Sequence, residues 1–211
     1  MKNNESMKPE ICFNTIHDYI LSKTKPYEFF YREIKKNGIV EIEDTKLDFF
    51  LFFSKTIISQ QISFEVAEKI WSSIQNKFEN SYSESKSDKK KEMIKLIKEL
   101  RISKSKKNTI LRVHDSILQK ELNHDNFYSL SDNILRKKLT KIKGVGLWTA
   151  DMMLIFYFKR LNIFPENDLI INKVKVKLEH IENCKINFVN LYKPFLSILS
   201  IHFWKLSKRI L

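Results

Sequence analysis

The spacing of apolar residues is the feature that most limits what this chain can fold into, because it is helical almost throughout. Between residues 67 and 78 apolar side chains recur at i, i+3, i+4, i+7 and i+11, and the alternation typical of strands is nearly absent. Only three glycines and four prolines interrupt 211 residues. The sequence therefore predicts an all-α protein of about ten helices. They lie near 12–22, 26–37, 47–60, 63–79, 89–100, 105–121, 131–140, 146–159, 168–181 and 192–208.

Two serines stand where helix N-caps belong. Ser63 precedes the helix near 63–79, and Ser129 with Asp132 three residues later has the spacing of a capping box. The helix near 146–159 is apolar nearly all round, which predicts that it is a central helix with contacts on several sides.

Basic residues are concentrated in the later part of the sequence. The formal net charge is +13, from 38 Lys and Arg against 25 Asp and Glu. Residues 1–80 hold 11 basic and 12 acidic side chains, so residues 81–211 hold the remaining 27 and 13, a net charge of +14. Lysines that neutralise phosphates release condensed counterions, which favours nucleic acid as the partner and an anionic membrane surface as the second candidate. A Lys-rich protein that binds no nucleic acid is the alternative.

Cysteine usage and the chain ends indicate the compartment. Cys12 and Cys184 are the only cysteines, so neither a disulfide framework nor a four-cysteine metal site can form. The first ten residues lack an apolar run, and the most apolar stretch, 152–158, is too short to span a bilayer. We therefore expect an intracellular protein of the cytoplasm or nucleoid, with no membrane partner.

Two of the three glycines fall within three residues, in the segment 139–150 between two predicted helices. The segment reads Leu-Thr-Lys-Ile-Lys-Gly-Val-Gly-Leu-Trp-Thr-Ala. Glycine permits positive φ, and its missing side chain lets a phosphate reach backbone N–H groups at the start of the next helix. Lys141, Lys143 and the basic run 136–138 surround the glycines. The pattern predicts that Gly144-Val145-Gly146 is a phosphate-binding hairpin, and an ordinary glycine-rich turn is the alternative.

The residues around the hairpin resemble the helix-hairpin-helix DNA glycosylase superfamily. The matching segments are Leu139 to Ala150 with the apolar helix after it, Phe164-Pro165-x-x-Asp168, Ile58 to Ser63, Leu100 to Lys106, Tyr192 to Phe195 and His202 to Trp204. They extend over residues 45–206 and are most similar to the alkylbase branch, the 3-methyladenine DNA glycosylase II type. The resemblance implies two helical lobes with a cleft for DNA and the target base between them. It implies one unit over 1–211, with lobe one at 45–150 and a discontinuous lobe two at 1–44 plus 151–211.

The resemblance implies that Asp168 is the catalytic residue, because it matches the family's aspartate after the hairpin. Cleavage of an N-glycosidic bond passes through an oxocarbenium-like transition state, which a carboxylate stabilises while it orients the attacking water. An N-cap of the helix that begins at 168 is the alternative role, and the two roles are compatible. Superfamily members that also cut the strand carry a lysine where this sequence has Trp148. The resemblance therefore implies a monofunctional enzyme without lyase activity.

Three residues are candidates for the base pocket. An aromatic face such as Trp148 attracts a purine that alkylation has made cationic by about 0.5–2 kcal/mol. Trp204 matches a pocket tryptophan of the family, and Met152 lies one turn after Trp148. Packing in the helical core is the alternative for both Trp204 and Met152.

The expected DNA contacts lie in two loops. They are Gln60, Gln61, Lys143, Gly144, Val145, Gly146 and Thr149. Gln60-Gln61 match the family's wedge position, where Gln61 would fill the gap left by an extruded base; a polar helix end is the alternative. The five histidines show no paired metal-ligand spacing, and no cofactor is expected. The resemblance implies at most a structural Na⁺ or K⁺ on the backbone carbonyls of Thr140, Ile142 and Val145.

The leading hypothesis is a monofunctional DNA glycosylase of base excision repair. It would hydrolyse the N-glycosidic bond of alkylated, cationic purines such as 3-methyladenine and leave an abasic site. Two alternatives stay open: the same fold acting on an oxidised or deaminated base, and a non-catalytic helix-hairpin-helix DNA-binding protein. The expected partner is double-stranded DNA containing damaged bases, and the expected state is a monomer.

Overall fold

The computed structural model describes residues 12–80, 86–122 and 124–211. These residues form eleven α-helices, one 3-10 helix and one π-helical turn and contain no strand, so the all-α prediction is confirmed. The helices are α1 (Phe13–Thr24), α2 (Glu28–Asn37), α3 (Phe49–Ile58), α4 (Phe64–Asn80), α5 (Lys86–Glu99), α6 (Lys104–Leu118), α7 (Asp132–Thr140), α8 (Leu147–Met152), α9 (Leu169–Ile181), α10 (Phe188–Tyr192) and α11 (Leu196–Ile210), with the 3-10 helix at His124–Ser129 and the π-helical turn at Met153–Tyr157. Within the described part, no helix combines the length and apolarity of a membrane span.

Helix ends differ from prediction where local chemistry intervenes. The last predicted helix, near 192–208, begins four residues later than predicted, as α11 at Leu196, and the short helix α10 ends before it at Tyr192. Pro194 lies between the two helices, and because it has no N–H to donate it cannot continue a helix. Ser63 accepts a backbone N–H at 3.3 Å at the start of α4, as predicted. The capping box predicted at Ser129 is wrong: Ser131 is the N-cap residue of α7, and the Ser129 hydroxyl donates to the Asn126 carbonyl at 2.8 Å.

The apolar helix after the hairpin changes its winding partway along. α8 ends at Met152, and the π-helical turn follows, in which the Phe158 N–H donates to the Met153 carbonyl at 3.0 Å. All of residues 150–155 are buried, which confirms contact on several sides. Single π-helical turns inside α-helices often occur at functional sites.

The described residues between 44 and 160 form one compact unit. α3 packs against α4, α6, α8 and the π-helical turn. Phe49 lies against four rings at centroid distances of 5.4–6.1 Å, those of Phe53, Phe127, Tyr157 and Phe158. Three of the four pairs are edge-to-face and the pair with Phe158 is tilted. Aromatic pairs contribute about 0.5–1.5 kcal/mol each beyond their burial, so the cluster anchors the helix that follows the hairpin.

Of the described residues, 12–43 and 161–211 form the other compact unit. α11 packs against α9, α2 and α10. Four aromatic rings meet among these helices, with centroids 5.2–6.4 Å apart: Phe30, Phe188, Tyr192 and Phe203. The Arg209 guanidinium pairs with the Glu33 carboxylate at 2.7 Å and joins α11 to α2. The unit thus packs the helix that follows Asp168 against the helix that carries Trp204.

His202 of α11 is held neutral inside this second unit. Arg209 donates to the Asn37 side-chain oxygen at 2.7 Å, which turns the Asn37 amide nitrogen toward His202 Nδ1 at 3.1 Å. A protonated Nδ1 would face that donor, so the ring accepts there. Burial, followed by the charges of His17 and Lys205, lowers the pKa of His202 to about 3.

Candidate functional site

The two hairpin glycines have different surroundings. Gly144 has a φ of +100°, and a Cβ added to it would overlap the Thr109 hydroxyl and lie 3.0 Å from Thr109 Cβ and Cγ2. Gly146 has a φ of −88°, and nothing lies within 4 Å of a Cβ added there. The fold therefore requires glycine at 144, whereas the small size of Gly146 leaves an open approach from outside.

The hairpin backbone exposes the start of α8. Val145 is buried, and its N–H donates to the Ile142 carbonyl at 2.9 Å inside the turn. Gly146 is the N-cap of α8 without a side-chain cap, and the first bond of the helix runs from Ala150 N–H to the Gly146 carbonyl at 3.1 Å. The N–H groups of a first helical turn have no acceptor within the helix and favour an anion. Gly144, Gly146 and Lys143 are exposed beside them.

An ion pair joins the two helices of the hairpin. Arg136 of α7 and Asp151 of α8 lie 2.7 Å apart, and the Asp151 side chain is 5% exposed. Sequence reasoning assigned Arg136 to the positive field around the glycines, but its guanidinium is turned inward to Asp151. The exposed cations near the turn are Lys137, Lys138, Lys141 and Lys143.

Helix α6 supports the hairpin from behind, a role that sequence reasoning missed. Thr109 touches the position of Gly144, and Arg112 Nη1 donates to the Lys143 carbonyl at 3.3 Å. Neither residue belongs to a recognisable motif. The only signal was the basic run that begins α6, which precedes both.

The turn between α3 and α4, residues 59–63, lies against the hairpin. Gln60 Nε2 donates to the Gly144 carbonyl at 3.3 Å and to the Thr149 hydroxyl at 2.7 Å. Thr149 is 1% exposed, and its buried hydroxyl accepts the hydrogen bond from Gln60. Gln61 is exposed and has a φ of +56°. The structure thus brings together the two loops that were predicted to contact DNA.

Asp168 is the N-cap residue of α9. Its carboxylate accepts the Ile171 N–H at 2.8 Å, and the residue is 7% exposed. The Asp168 N–H donates to the Pro165 carbonyl at 2.9 Å, which fixes the approach to the helix. Glu166 is exposed by contrast. The predicted N-cap is confirmed, and the catalytic role of Asp168 stays a prediction.

The three base-pocket candidates are divided between the two compact units: two lie in one unit and one lies in the other. Trp148 is half-buried and Met152 is buried, and both lie on the helical segment after the hairpin in residues 44–160. Trp204 is half-buried on α11, in the unit that also contains Asp168. Across the described ranges, no cluster of three or more His, Cys, Asp or Glu residues could hold a metal ion.

No family model matches the chain, but curated proteins do. DNA-3-methyladenine glycosylase 1 of Schizosaccharomyces pombe is 35% identical over 92 residues, which cover 37% of this chain and 37% of that protein. The DNA-3-methyladenine glycosylase of Saccharomyces cerevisiae is 28% identical over 138 residues, which cover 61% of this chain and 46% of that protein. The chain therefore spans less than half the length of either relative.

Solved structures share the fold over most of the chain. The 3-methyladenine DNA glycosylase of Schizosaccharomyces pombe in complex with abasic DNA superposes with a TM-score of 0.71 at 18% identity, over 92% of this chain and 97% of that one. The 3-methyladenine DNA glycosylase of Archaeoglobus fulgidus gives a TM-score of 0.71 at 20% identity, over 94% and 70%. The fold is thus that of the helical DNA glycosylases. The sequence matches to DNA-3-methyladenine glycosylases agree with the resemblance to the alkylbase branch of the helix-hairpin-helix glycosylases that the motifs predicted.

Proposed function

We propose that this protein is a DNA glycosylase that removes alkylated purines such as 3-methyladenine and leaves an abasic site. The observation that carries the proposal is the 35% identity over 92 residues to a DNA-3-methyladenine glycosylase, in a chain that shares the helical fold of such an enzyme over 92% of its length. The role belongs to base excision repair, and the partner is double-stranded DNA containing a damaged base. The protein acts as a monomer within the cell.

The hairpin binds one phosphate of the DNA backbone. The first-turn N–H groups of α8, the open side of Gly146 and the exposed Lys143 supply donors and positive charge at one place. Contacts of this kind position the protein on DNA without reading its sequence. The hairpin is therefore the clamp, and the chemistry lies elsewhere.

Asp168 supplies the chemistry. As the N-glycosidic bond breaks, the bonding electron pair leaves with the base, so a purine that was cationic departs neutral and needs no strong general acid. The carboxylate of Asp168 stabilises the oxocarbenium-like sugar and orients a water, whose oxygen bonds to the anomeric carbon while its proton passes to solvent. Trp148 offers no amine for a Schiff base, so the strand stays uncut.

Aromatic side chains select the electron-poor base. The proposed contacts of the extruded purine are Trp148, Met152 one helical turn after it, and Trp204. A ring face favours a cationic base by about 0.5–2 kcal/mol, so part of the selectivity comes from the weakened bond of the lesion itself. Gln61 fills the gap that the base leaves in the duplex.

A structural Na⁺ or K⁺ at the hairpin is a separate proposal. The Ile142 carbonyl accepts the Val145 N–H, and a carbonyl oxygen has a second lone pair that a cation could use together with the carbonyls of Thr140 and Val145. Such an ion would brace the turn and take no part in bond cleavage. Hydrolysis requires no cofactor in this scheme.

Duplexes that each carry one lesion test the proposed activity. The alkylated duplex, with 7-methylguanine or 3-methyladenine, is expected to release its base, while the oxidised and deaminated duplexes are not. Release from only an oxidised or deaminated base would select the second hypothesis. Binding without release from any duplex would select the non-catalytic one.

Substitutions at Asp168 separate its two roles. Asn caps a helix about as well as Asp, so Asp168→Asn keeps α9 intact and removes only the charge. We expect base release to fall by about 10²–10³, the usual effect of losing one electrostatic stabiliser, with unchanged DNA binding. Glu166→Gln, which removes an exposed carboxylate two residues earlier, is the matched control and should leave release unchanged. Full activity in Asp168→Asn would contradict the catalytic role of Asp168 and leave only its role as the N-cap of α9.

A further inference from the structure

Lys106 of α6 holds the backbone of the α3–α4 turn. Its ammonium donates to the carbonyl of Ile58 at 2.9 Å and to that of Gln60 at 2.6 Å. Both carbonyls lie at the C-terminal end of α3, where helix carbonyls lack intrahelical donors and a positive charge is favourable. Burial of the side chain lowers the pKa of Lys106. The Lys106 ammonium thus donates its hydrogen bonds within the protein, whereas Lys104 on the same turn of α6 is exposed.

The bond to the Gln60 carbonyl controls the residue that follows. That carbonyl belongs to the peptide group that leads into Gln61, whose φ of +56° few non-glycine residues adopt. A conformation of this kind persists only where its surroundings hold it. By fixing the plane of this peptide, Lys106 fixes the direction in which the exposed Gln61 side chain leaves the turn.

The same turn and the same helix both reach the hairpin. Gln60 ties the turn to the hairpin through the Gly144 carbonyl and the Thr149 hydroxyl. α6 reaches the hairpin independently through the bond from Arg112 to the Lys143 carbonyl. The turn, the hairpin and α6 therefore form a closed ring of contacts, and Lys106 is the link between α6 and the turn.

We propose that Lys106 is a positioning residue for Gln61. Lys106 sets the position of the gap-filling Gln61 side chain relative to the phosphate-binding hairpin, and it does so without touching DNA. The inference rests on the proposed function, because a gap-filling side chain has a use only in a protein that extrudes a base. Without Lys106 the turn relaxes and Gln61 enters the gap less often. The exposed hairpin lysines still bind phosphate, so the salt dependence of DNA affinity is unchanged. What decreases is the preference for DNA that has a gap in its base stack.

Binding to two otherwise identical duplexes tests this role. One duplex is intact, the other carries a tetrahydrofuran abasic-site analogue, and affinity is measured over a range of salt concentrations. The preference for the analogue should fall about tenfold in Lys106→Met, as expected for the loss of a hydrogen bond to a charged group, with an unchanged salt slope. Lys104→Met is the matched control; it should keep the preference and lower the slope by at most about 0.9.

Coupling to Gln61 separates positioning from a general structural effect. If Lys106 acts through Gln61, Gln61→Ala removes the preference and adding Lys106→Met causes no further loss. Additive losses would overturn the proposal. An equal loss on both duplexes with a slope lower by about 0.9 would also overturn it, because Lys106 would then be a phosphate contact.

Failure of this inference is distinguishable from failure of the proposed function. If the wild-type protein shows no preference for the abasic-site analogue, the proposed base-extrusion mechanism itself is contradicted. A wild-type preference that Lys106→Met retains in full would overturn the positioning role alone. Urea unfolding establishes that each variant is folded; if Lys106→Met is not, Lys106→Gln, which keeps a side-chain N–H donor, should lose part of the preference, and no loss would contradict the proposal.

Discussion

Alanine at Gly144 should destabilise the protein, whereas alanine at Gly146 should not. At Gly144 a side chain meets both a φ of +100° and the Thr109 side chain. At Gly146 the φ of −88° suits any residue, and the space around a Cβ is open. The two glycines lie two residues apart in the same hairpin, but the fold requires glycine only at position 144.

The magnitudes follow from these two environments. A left-handed conformation costs an L-residue about 1–2 kcal/mol. Overpacking a well-packed site adds about 1–3 kcal/mol, so Gly144→Ala should lower the free energy of unfolding by several kcal/mol. Gly146→Ala should stabilise by about 0.4–1 kcal/mol, because it restricts only the unfolded chain. Since Gly146 faces the proposed phosphate, that variant should nevertheless bind DNA more weakly.

Urea unfolding measures these differences as shifts of the midpoint at constant slope. In a Thr109→Ala background the penalty of Gly144→Ala should shrink, because the overlap with the hydroxyl and Cγ2 is removed, but the conformational part should remain. Equal stability of Gly144→Ala and wild type would refute the steric reasoning. Weaker folding of Gly146→Ala than of Gly144→Ala would refute the assignment of the two roles.

Three further predictions concern charge. The pKa of His202 is about 3 in the folded protein and about 6.5 when unfolded, so between pH 6.5 and pH 3 the unfolded chain binds a proton that the folded protein does not. The free energy of unfolding should therefore decrease as the pH is lowered, by about 2 kcal/mol at pH 5 relative to neutral pH, and His202→Gln should flatten this dependence while His180→Gln does not. Lys143→Ala should lower the slope of log affinity for DNA against log salt by about 0.9, and an unchanged slope would exclude its phosphate contact. Asp151→Ala should cost about 1.5–3 kcal/mol in urea unfolding because it removes the charged hydrogen bond of Arg136 between the hairpin helices, and a loss under 1 kcal/mol would contradict a stabilising pair.

The sequence predicted the helices well because their apolar residues follow the helical period over long stretches. It missed the π-helical turn, since a uniformly apolar segment carries no signal for a change of winding. It also placed the last helix too early, although Pro194 was visible, because the apolar period continues across that residue.

The candidate site was predictable where a short segment carries the information. Two glycines within three residues identified the hairpin, and an acidic residue at a helix start identified the cap at Asp168. Side-chain pairs between distant elements could not be predicted, because the tertiary packing decides which partner a polar group meets. The inward turn of Arg136 and the reach of Gln60 to Thr149 are both of this kind.

The fate of the strand during base release tests the central claim most directly. A duplex labelled at one end and carrying a single alkylated purine is incubated with excess protein, and its length is measured before and after treatment with alkali. The proposed hydrolysis predicts release of the free base, an intact strand before alkali and a cut at the lesion after it. A strand cut before alkali would contradict hydrolysis by water alone, and no cut after alkali would contradict glycosylase activity itself.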